Sequence, residues 1–371
     1  MSALNNKARF LKDAGKLNES LHSLQAALKL TPNDTPTMAF VMRGRQKLCL
    51  WENLEVMLVR MYANIDMRLA SNEDISSLDP FFASKLDRPA SWIKTVAKAF
   101  TSSWESSKSL MDHLYTPRDK IIRALSSIQT VRTTKVLTLG YLSYDFRDHP
   151  VADLIVGAMS FHDRVHFNVT GFSYGPNDDS AIRHAIALIC DSFVDIERHT
   201  DFDAALLIHQ AEVHILVDLM GHTKGSRLGI SALYPAPIIV NYLGYPGTMG
   251  ALFTNFIIID SFILPVERLD AAVTEKAVYL PSVYQINQYN IMSPIWTKNS
   301  FAELSDAEAE VLHHTVFSSV PDVIYTNARR TAVSSSPRLF IFCDFNTHHK
   351  MEPRSFHLWM QILSRVPASI L

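Results

Sequence analysis

Four segments of the 371-residue chain gather residues able to do chemistry. The first is Ser143-Tyr144-Asp145-Phe146-Arg147-Asp148-His149-Pro150. Here Asp145 and His149 can face one crevice. A histidine is the commonest proton-transfer group near neutral pH, and a neighbouring carboxylate orients it or relays its proton. The competing reading makes Asp148 a helix cap and His149 an ordinary polar surface residue. The second segment runs from Asp218 through Gly221, His222 and Lys224 to Gly225. Its backbone N–H groups and Lys224 could hold an anion, or it is a plain strand-to-helix turn. The third, Tyr242–Gly250, packs Gly244, Pro246, Gly247 and Gly250 into a short stretch of a glycine-poor chain. Such a loop lets backbone approach a ligand closely, or is a tight turn without one. The fourth, Phe345-Asn346-Thr347-His348-His349-Lys350, lies just ahead of Pro353. A lysine beside a helix start can stabilise a phosphate leaving group. The adjacent His348 and His349 are a poor metal site, because no Cys or carboxylate cluster joins them, and no metal is expected.

The elements that must position these segments are legible as periodicities. From Lys135 onward, apolar strands alternate with amphipathic helices. Strands are expected at 136–142, 167–174, 192–196, 213–219, 238–243, 256–259 and 276–280. Helices are expected from about Pro150, over 180–190 and 202–210, and near 225–233. This alternation predicts an α/β lobe with a doubly wound parallel sheet, which binds ligands at the carboxyl ends of its strands. The first three segments all follow such strands. Residues 1–34 read as two helices in which Ala8, Gly15, Ala27 and Pro32 sit at the spacing of a tetratricopeptide repeat; a generic helical hairpin is the alternative. One repeat cannot bury its own faces and needs a neighbour. Residues 35–134 read as a helical region and linker, 135–290 as the sheet lobe, and 291–338 as a second linker. Residues 339–371 give a strand, a helix and the start of a strand, so a second lobe is only begun and the chain reads as truncated.

Composition removes several classes. Lys+Arg 35 against Asp+Glu 37 leaves a net charge of -2, which gives no support to a nucleic-acid partner. No long uninterrupted apolar run suggests a membrane span, and no apolar signal core opens the chain. Three scattered cysteines form no disulfide framework, so a cytoplasmic or nuclear compartment is expected. The usual nucleotide-loop signatures, GxGxxG and GxxxxGK[ST], are absent.

The segments GYLSYDFRDHP, HILVDLMGHTKGSR, YPAPIIVNYLGYPGTMGALF and FCDFNTHHKMEP, in this order, resemble the protein O-GlcNAc transferase family, which includes the SPINDLY-type O-fucosyltransferases. The resemblance covers most of residues 1–290 and again 339–371. It implies a GT-B fold of two Rossmann-like lobes around a cleft. It implies inverting, metal-independent transfer of N-acetylglucosamine from UDP-GlcNAc to Ser or Thr hydroxyls of intracellular proteins. No cofactor is implied, because the sugar nucleotide is a substrate. By the same resemblance, Asp145 accepts the hydroxyl proton through water and His149 positions sugar and acceptor. Pro150, Leu154, His222, Leu243 and Gly244 match positions lining the sugar pocket, Thr347 a nucleotide-holding position, and Lys350 the lysine that stabilises the diphosphate.

The chain departs from the pattern in places. Asp79-Pro80-Phe81-Phe82 stands where animal members carry a histidine-rich patch. Thr347 replaces a glutamine and His349 an aromatic residue. The remainder of the second lobe, with its uridine pocket, is not in this sequence, so little activity is expected of the chain by itself. Two other readings stay open. One is a non-catalytic interaction module contacting partner proteins through its repeat. The other is the same enzyme class using GDP-fucose.

Overall fold

The computed structural model describes residues 2–71, 73, 75, 78–105, 136–288, 340–344, 350–366, 369 and 370. The expected linkers, for the most part, and the Thr347, His348 and His349 positions lie outside these residues. Two compact units are present, one formed by 1–71 with 290–371 and the other by 72–289.

In the first unit, α1 (Ser2–Asp13) and α2 (Leu17–Leu30) form a helical hairpin followed by α3 (Thr35–Lys47) and α4 (Leu54–Ala70). Gly15 turns the hairpin at φ +76°, a conformation that costs glycine little. Small residues set the spacing: Ala8 and Ala27 are buried in the seam, and the Ser20 hydroxyl donates to the Ala8 carbonyl at 2.7 Å. The Asp34 side chain caps α3 by accepting the Thr37 N–H at 3.0 Å, with Pro36 in the first turn. The same unit holds the paired strands β8 (Phe340–Ile341) and β9 (Ser369–Ile370), with α12 (Pro353–Arg365) between them in sequence.

The second unit is built on seven parallel strands: β1 (Leu137–Ser143), β2 (Phe167–Ser173), β3 (Ser192–Asp195), β4 (Ile215–Asp218), β5 (Ile238–Asn241), β6 (Phe256–Asp260) and β7 (Lys276–Leu280). Their order is β3-β2-β1-β4-β5-β6-β7, the doubly wound arrangement the alternation predicts. Side chains alternate along β1. Leu139 and Tyr141 enter the core beneath α7 (Pro150–Ser160) and α8 (Ala181–Ile189). Leu142 enters the opposite core, beneath α9 (Asp201–Gln210) and α10 (Leu228–Ala232). Gly140 leaves room on that second face: a Cβ there would lie 2.9 Å from Val213 and 3.2 Å from Phe172. A further short helix, α11 (Leu269–Ala272), lies between β6 and β7 in sequence.

The unit begins earlier in the chain than the change of texture at Lys135. Two helices from the expected helical region, α5 (Pro80–Ala83) and α6 (Ala90–Glu105), pack on the sheet lobe. Thr101 donates its hydroxyl to the Gly250 carbonyl at 2.9 Å, and the Lys94 ammonium donates to the Asp270 carbonyl at 2.7 Å.

Candidate functional site

The winding changes direction between β1 and β4, so the loops leaving their carboxyl ends flank a switch-point crevice. The β1 loop carries the Asp145–His149 pair. His149 is itself the N-cap of α7, which removes that role from Asp148. Its Nδ1 lies 3.3 Å from the Val151 N–H and 3.3 Å from Asp145 Oδ2. These neighbours make opposite demands. The N–H needs a lone pair on Nδ1, whereas the carboxylate needs a proton there. A ring protonated on Nε2 alone serves Val151, and a ring protonated on Nδ1 serves Asp145.

Asp145 is buried, and that burial raises its pKa above the ordinary aspartate value; His149 and Arg147 oppose the rise. The Arg147 guanidinium lies 3.3 Å from Asp145 Oδ1 and sits over the Tyr144 ring. One carboxylate thus faces a cation on one oxygen and an imidazole on the other. The result is a carboxyl group more basic than an ordinary aspartate at the mouth of the sheet.

Four N–H groups of the β4 loop find acceptors within it. Asp218 Oδ1 accepts the N–H groups of Met220 at 2.8 Å and Gly221 at 3.3 Å, while the Thr223 and Ser226 N–H groups bond within the turn. Helix α10 has five residues, and the Arg227 guanidinium ahead of it is held by Asp201 and by the carbonyls of Ile196 and His199. The same segment carries His222. The ring is buried between Phe100 and Tyr245, both edge-on. A carbonyl only accepts, so the Nε2–H donates to the Met249 carbonyl, at 2.8 Å. Nδ1 is then a buried acceptor with no partner among the described residues. Such an orphan suits a donor brought by a ligand or a water.

Burial lowers the His222 pKa from 6.5 to about 4 and raises that of Asp218 from 3.8 to about 6. The stability consequences have opposite signs. As pH falls from about 6.5 to about 4, unfolded chains take a proton at position 222 that the folded protein refuses. Stability is lost by up to about 3 kcal/mol. Over roughly pH 4 to 6, the folded protein holds a proton at Asp218 that unfolded chains release, so this group's contribution falls as pH rises. We expect His222→Gln, which keeps a donor for Met249, to lose less stability than wild type on acidification. Asp218→Asn should lose more. Urea unfolding at pH 4.5 and 7 checks both, and parallel shifts of the two variants would contradict the assignment.

The glycine-rich loop closes on the same crevice. Leu243 takes φ +69°, and a Cβ on Gly244 would stand 2.0 Å from the Leu219 carbonyl oxygen. Asn241 spans the loop by donating to the Tyr245 carbonyl at 3.1 Å and the Gly247 carbonyl at 2.9 Å. The buried Glu275 carboxylate accepts the Met249 N–H and the Thr248 hydroxyl. Neither Asn241 nor Glu275 stood out in the sequence, and Glu275, far along the chain on the approach to β7, has no local signal.

Asp145 and His149 are therefore in direct contact, and His222, Leu243 and Gly244 border the adjoining β4 and β5 ends. Leu154 and Leu243 share one apolar cluster, whereas Pro150 is exposed at the first position of α7. Lys350 belongs to the other unit, exposed three residues ahead of the start of α12. Among the described residues, no group of three or more His, Cys, Asp or Glu side chains could hold a metal, and no helix is long and apolar enough to cross a membrane.

A doubly wound lobe with a carboxylate–imidazole pair at its switch point is the architecture of an α/β enzyme acting on a ligand held at the strand ends. The family model described as glycosyl transferase family 41 matches residues 123–336, and the chain belongs to that family. It is 32% identical over 239 residues to the probable UDP-N-acetylglucosamine–peptide N-acetylglucosaminyltransferase SEC of Arabidopsis thaliana, covering 64% of this chain and 22% of that protein. It is 38% identical over 161 residues to the UDP-N-acetylglucosamine–peptide N-acetylglucosaminyltransferase of Caenorhabditis elegans, covering 43% of this chain and 14% of that protein. The chain thus spans about a fifth or less of the length of these curated relatives. A Thermobaculum terrenum O-GlcNAc transferase mutant of known structure is 19% identical, with a TM-score of 0.48, over 99% of this chain and 67% of that one.

Proposed function

We propose that the chain supplies the acceptor-side lobe of a protein O-GlcNAc transferase. The enzyme moves N-acetylglucosamine from UDP-GlcNAc to a Ser or Thr hydroxyl, with inversion and without a metal or cofactor. The observation that carries the reading is the Asp145–His149 contact at the switch point, in a member of family 41. In this reaction the acceptor oxygen forms a bond to the anomeric carbon as the bond to the diphosphate oxygen breaks. The hydroxyl proton passes through water to Asp145, whose raised pKa makes it a better acceptor than an ordinary aspartate. The His149 imidazole orients sugar and acceptor. His222, Leu243, Gly244, Leu154 and Pro150 border the sugar, and Thr347 contacts the nucleotide. The Lys350 ammonium offsets the charge that builds on the departing diphosphate. The α1–α2 hairpin is a tetratricopeptide unit contacting protein partners, and the protein works in the cytoplasm or nucleus on protein acceptors.

The test is transfer of labelled sugar to a Ser/Thr peptide by the protein expressed from its complete reading frame, with UDP-GlcNAc and GDP-fucose compared. Incorporation from UDP-GlcNAc alone is expected. Preference for GDP-fucose would move the protein to the fucosyl branch, and no transfer from either donor would favour an interaction module.

A further inference from the structure

The β1 loop is pinned at every second residue by a single segment, Gly175–Arg183, which runs from the end of β2 into the first turn of α8. The Tyr144 carbonyl oxygen rests where a Cβ on Gly175 would stand, 1.8 Å away, so only glycine fits. Phe146 offers its carbonyl to Arg183 Nη1 at 2.9 Å. Asp148 donates its N–H to Asp178 Oδ2 at 2.7 Å. The intervening residues, Asp145, Arg147 and His149, form the charged group described above. The loop is a run of bends, closed within by the Arg147 N–H donating to the Asp145 carbonyl at 2.8 Å. The contacts at 144, 146 and 148 therefore fix the irregular backbone path that carries Asp145, Arg147 and His149.

Arg183 is unusual for a helical arginine. It is 5% exposed, and its guanidinium also reaches the Ser173 hydroxyl at 2.7 Å and Asp195 Oδ2 at 2.7 Å. It therefore ties the β1 loop to the ends of β2 and β3 at once. The planar fork of arginine satisfies three acceptors in fixed directions, which a lysine cannot reproduce. Asp178 contributes from the surface, where it also accepts the Ser180 N–H at 3.2 Å, and Ser180 caps α8.

We propose that Asp178 and Arg183 are positioning residues that fix the orientation of the Asp145–His149 pair. The inference rests on the transferase reading above, and it predicts kinetic losses from residues that touch no substrate.

The decisive variant is Asp178→Ala, because its side chain is exposed and the fold has little at stake in it. Arg183→Lys is the second. Asp163→Ala is the control: it removes an exposed carboxylate at the opposite end of β2, which accepts the Val165 N–H at 2.9 Å and pairs with His166 Nδ1 at 2.7 Å. In the complete protein, Asp178→Ala and Arg183→Lys are each expected to lower kcat by about 10-fold or more, the scale of a small misplacement of reacting groups. The donor KM should stay near wild type, and Asp163→Ala should leave kcat alone. Independently of activity, hydrogen exchange of the Tyr144–Val151 peptide in this chain should quicken in Asp178→Ala and not in Asp163→Ala.

Unchanged exchange with unchanged kcat would overturn the inference, as would equal kcat losses in Asp178→Ala and the control. A wild-type protein without transfer would sink the transferase reading instead. Quickened exchange would then still establish the pinning, and unchanged exchange would remove it.

Discussion

Replacing His149 is expected to lower turnover in the proposed transfer by at least about 10²-fold, the usual scale for removing a group that acts in the transition state. The N-cap role of this residue complicates the simplest variant. His149→Ala removes both the imidazole and the acceptor for the Val151 N–H, so it also costs about 1 kcal/mol of stability. His149→Asn separates the effects. Asparagine is a favourable N-cap with a side-chain oxygen for that N–H, but it has no imidazole to face Asp145. The expected result is an equal loss of turnover in both variants, with the melting temperature lowered only in His149→Ala. If His149→Asn keeps wild-type turnover, the histidine serves as a cap and takes no part in the reaction. Lys350→Met should show a loss of similar size without a stability change, because Lys350 is exposed. Unchanged rates would remove the lysine from the mechanism.

The strands were legible because parallel sheets bury both faces and so leave dense apolar runs. Lys276–Leu280 is observed over the residues the pattern predicts. Other apolar runs extend past the ends of their elements where backbone geometry, not side-chain polarity, stops them. The apolar run 238–243 loses its strand after Asn241, where Tyr242 begins the turn that takes Leu243 to φ +69°. The helix expected near 225–233 shrinks to Leu228–Ala232. Gly225 at φ +92° and Tyr234 at φ +55° break the chain on either side.

Within the site, Asp145 and His149 were readable from spacing after a strand. The residues that hold them were less so. Arg183 did leave a trace, since it stands three positions before Ile186 and shares its buried helical face. A charged residue in an apolar stripe calls for buried partners. Asp178, by contrast, looks like any loop acid, and its role appears only when Asp148, 30 residues earlier, is brought against it. Thr101 and Phe100 are further still from the loop they support.

That long-range support sets a large stability effect. Gly250 has φ +68°, and a Cβ there would lie 2.4 Å from both the Ala97 carbonyl carbon and the Lys98 nitrogen, backbone atoms of α6. Gly250→Ala therefore meets two costs. The left-handed backbone alone costs an L-residue about 1–2 kcal/mol. Forcing a methyl into helix backbone, which cannot swing aside as a side chain does, adds about 1–3 kcal/mol. Gly15 isolates the first cost. Its φ is +76°, but a Cβ there meets nothing within 4 Å. Gly15→Ala should lower the stability of its own unit by about 1 kcal/mol, and Gly250→Ala should lower that of the sheet unit by about 3 kcal/mol or more. Denaturant unfolding of the two variants measures the difference. Equal losses would mean that α6 does not press on the loop as described. If it does, relief of the clash must move α6 away. The Thr101 bond to the Gly250 carbonyl and the Phe100 edge against His222 then go together, and the glycine-rich loop loses its fixed place beside Asp145 and His149. Gly250→Ala should accordingly slow transfer by more than its stability loss accounts for, measured at a temperature where the variant is fully folded.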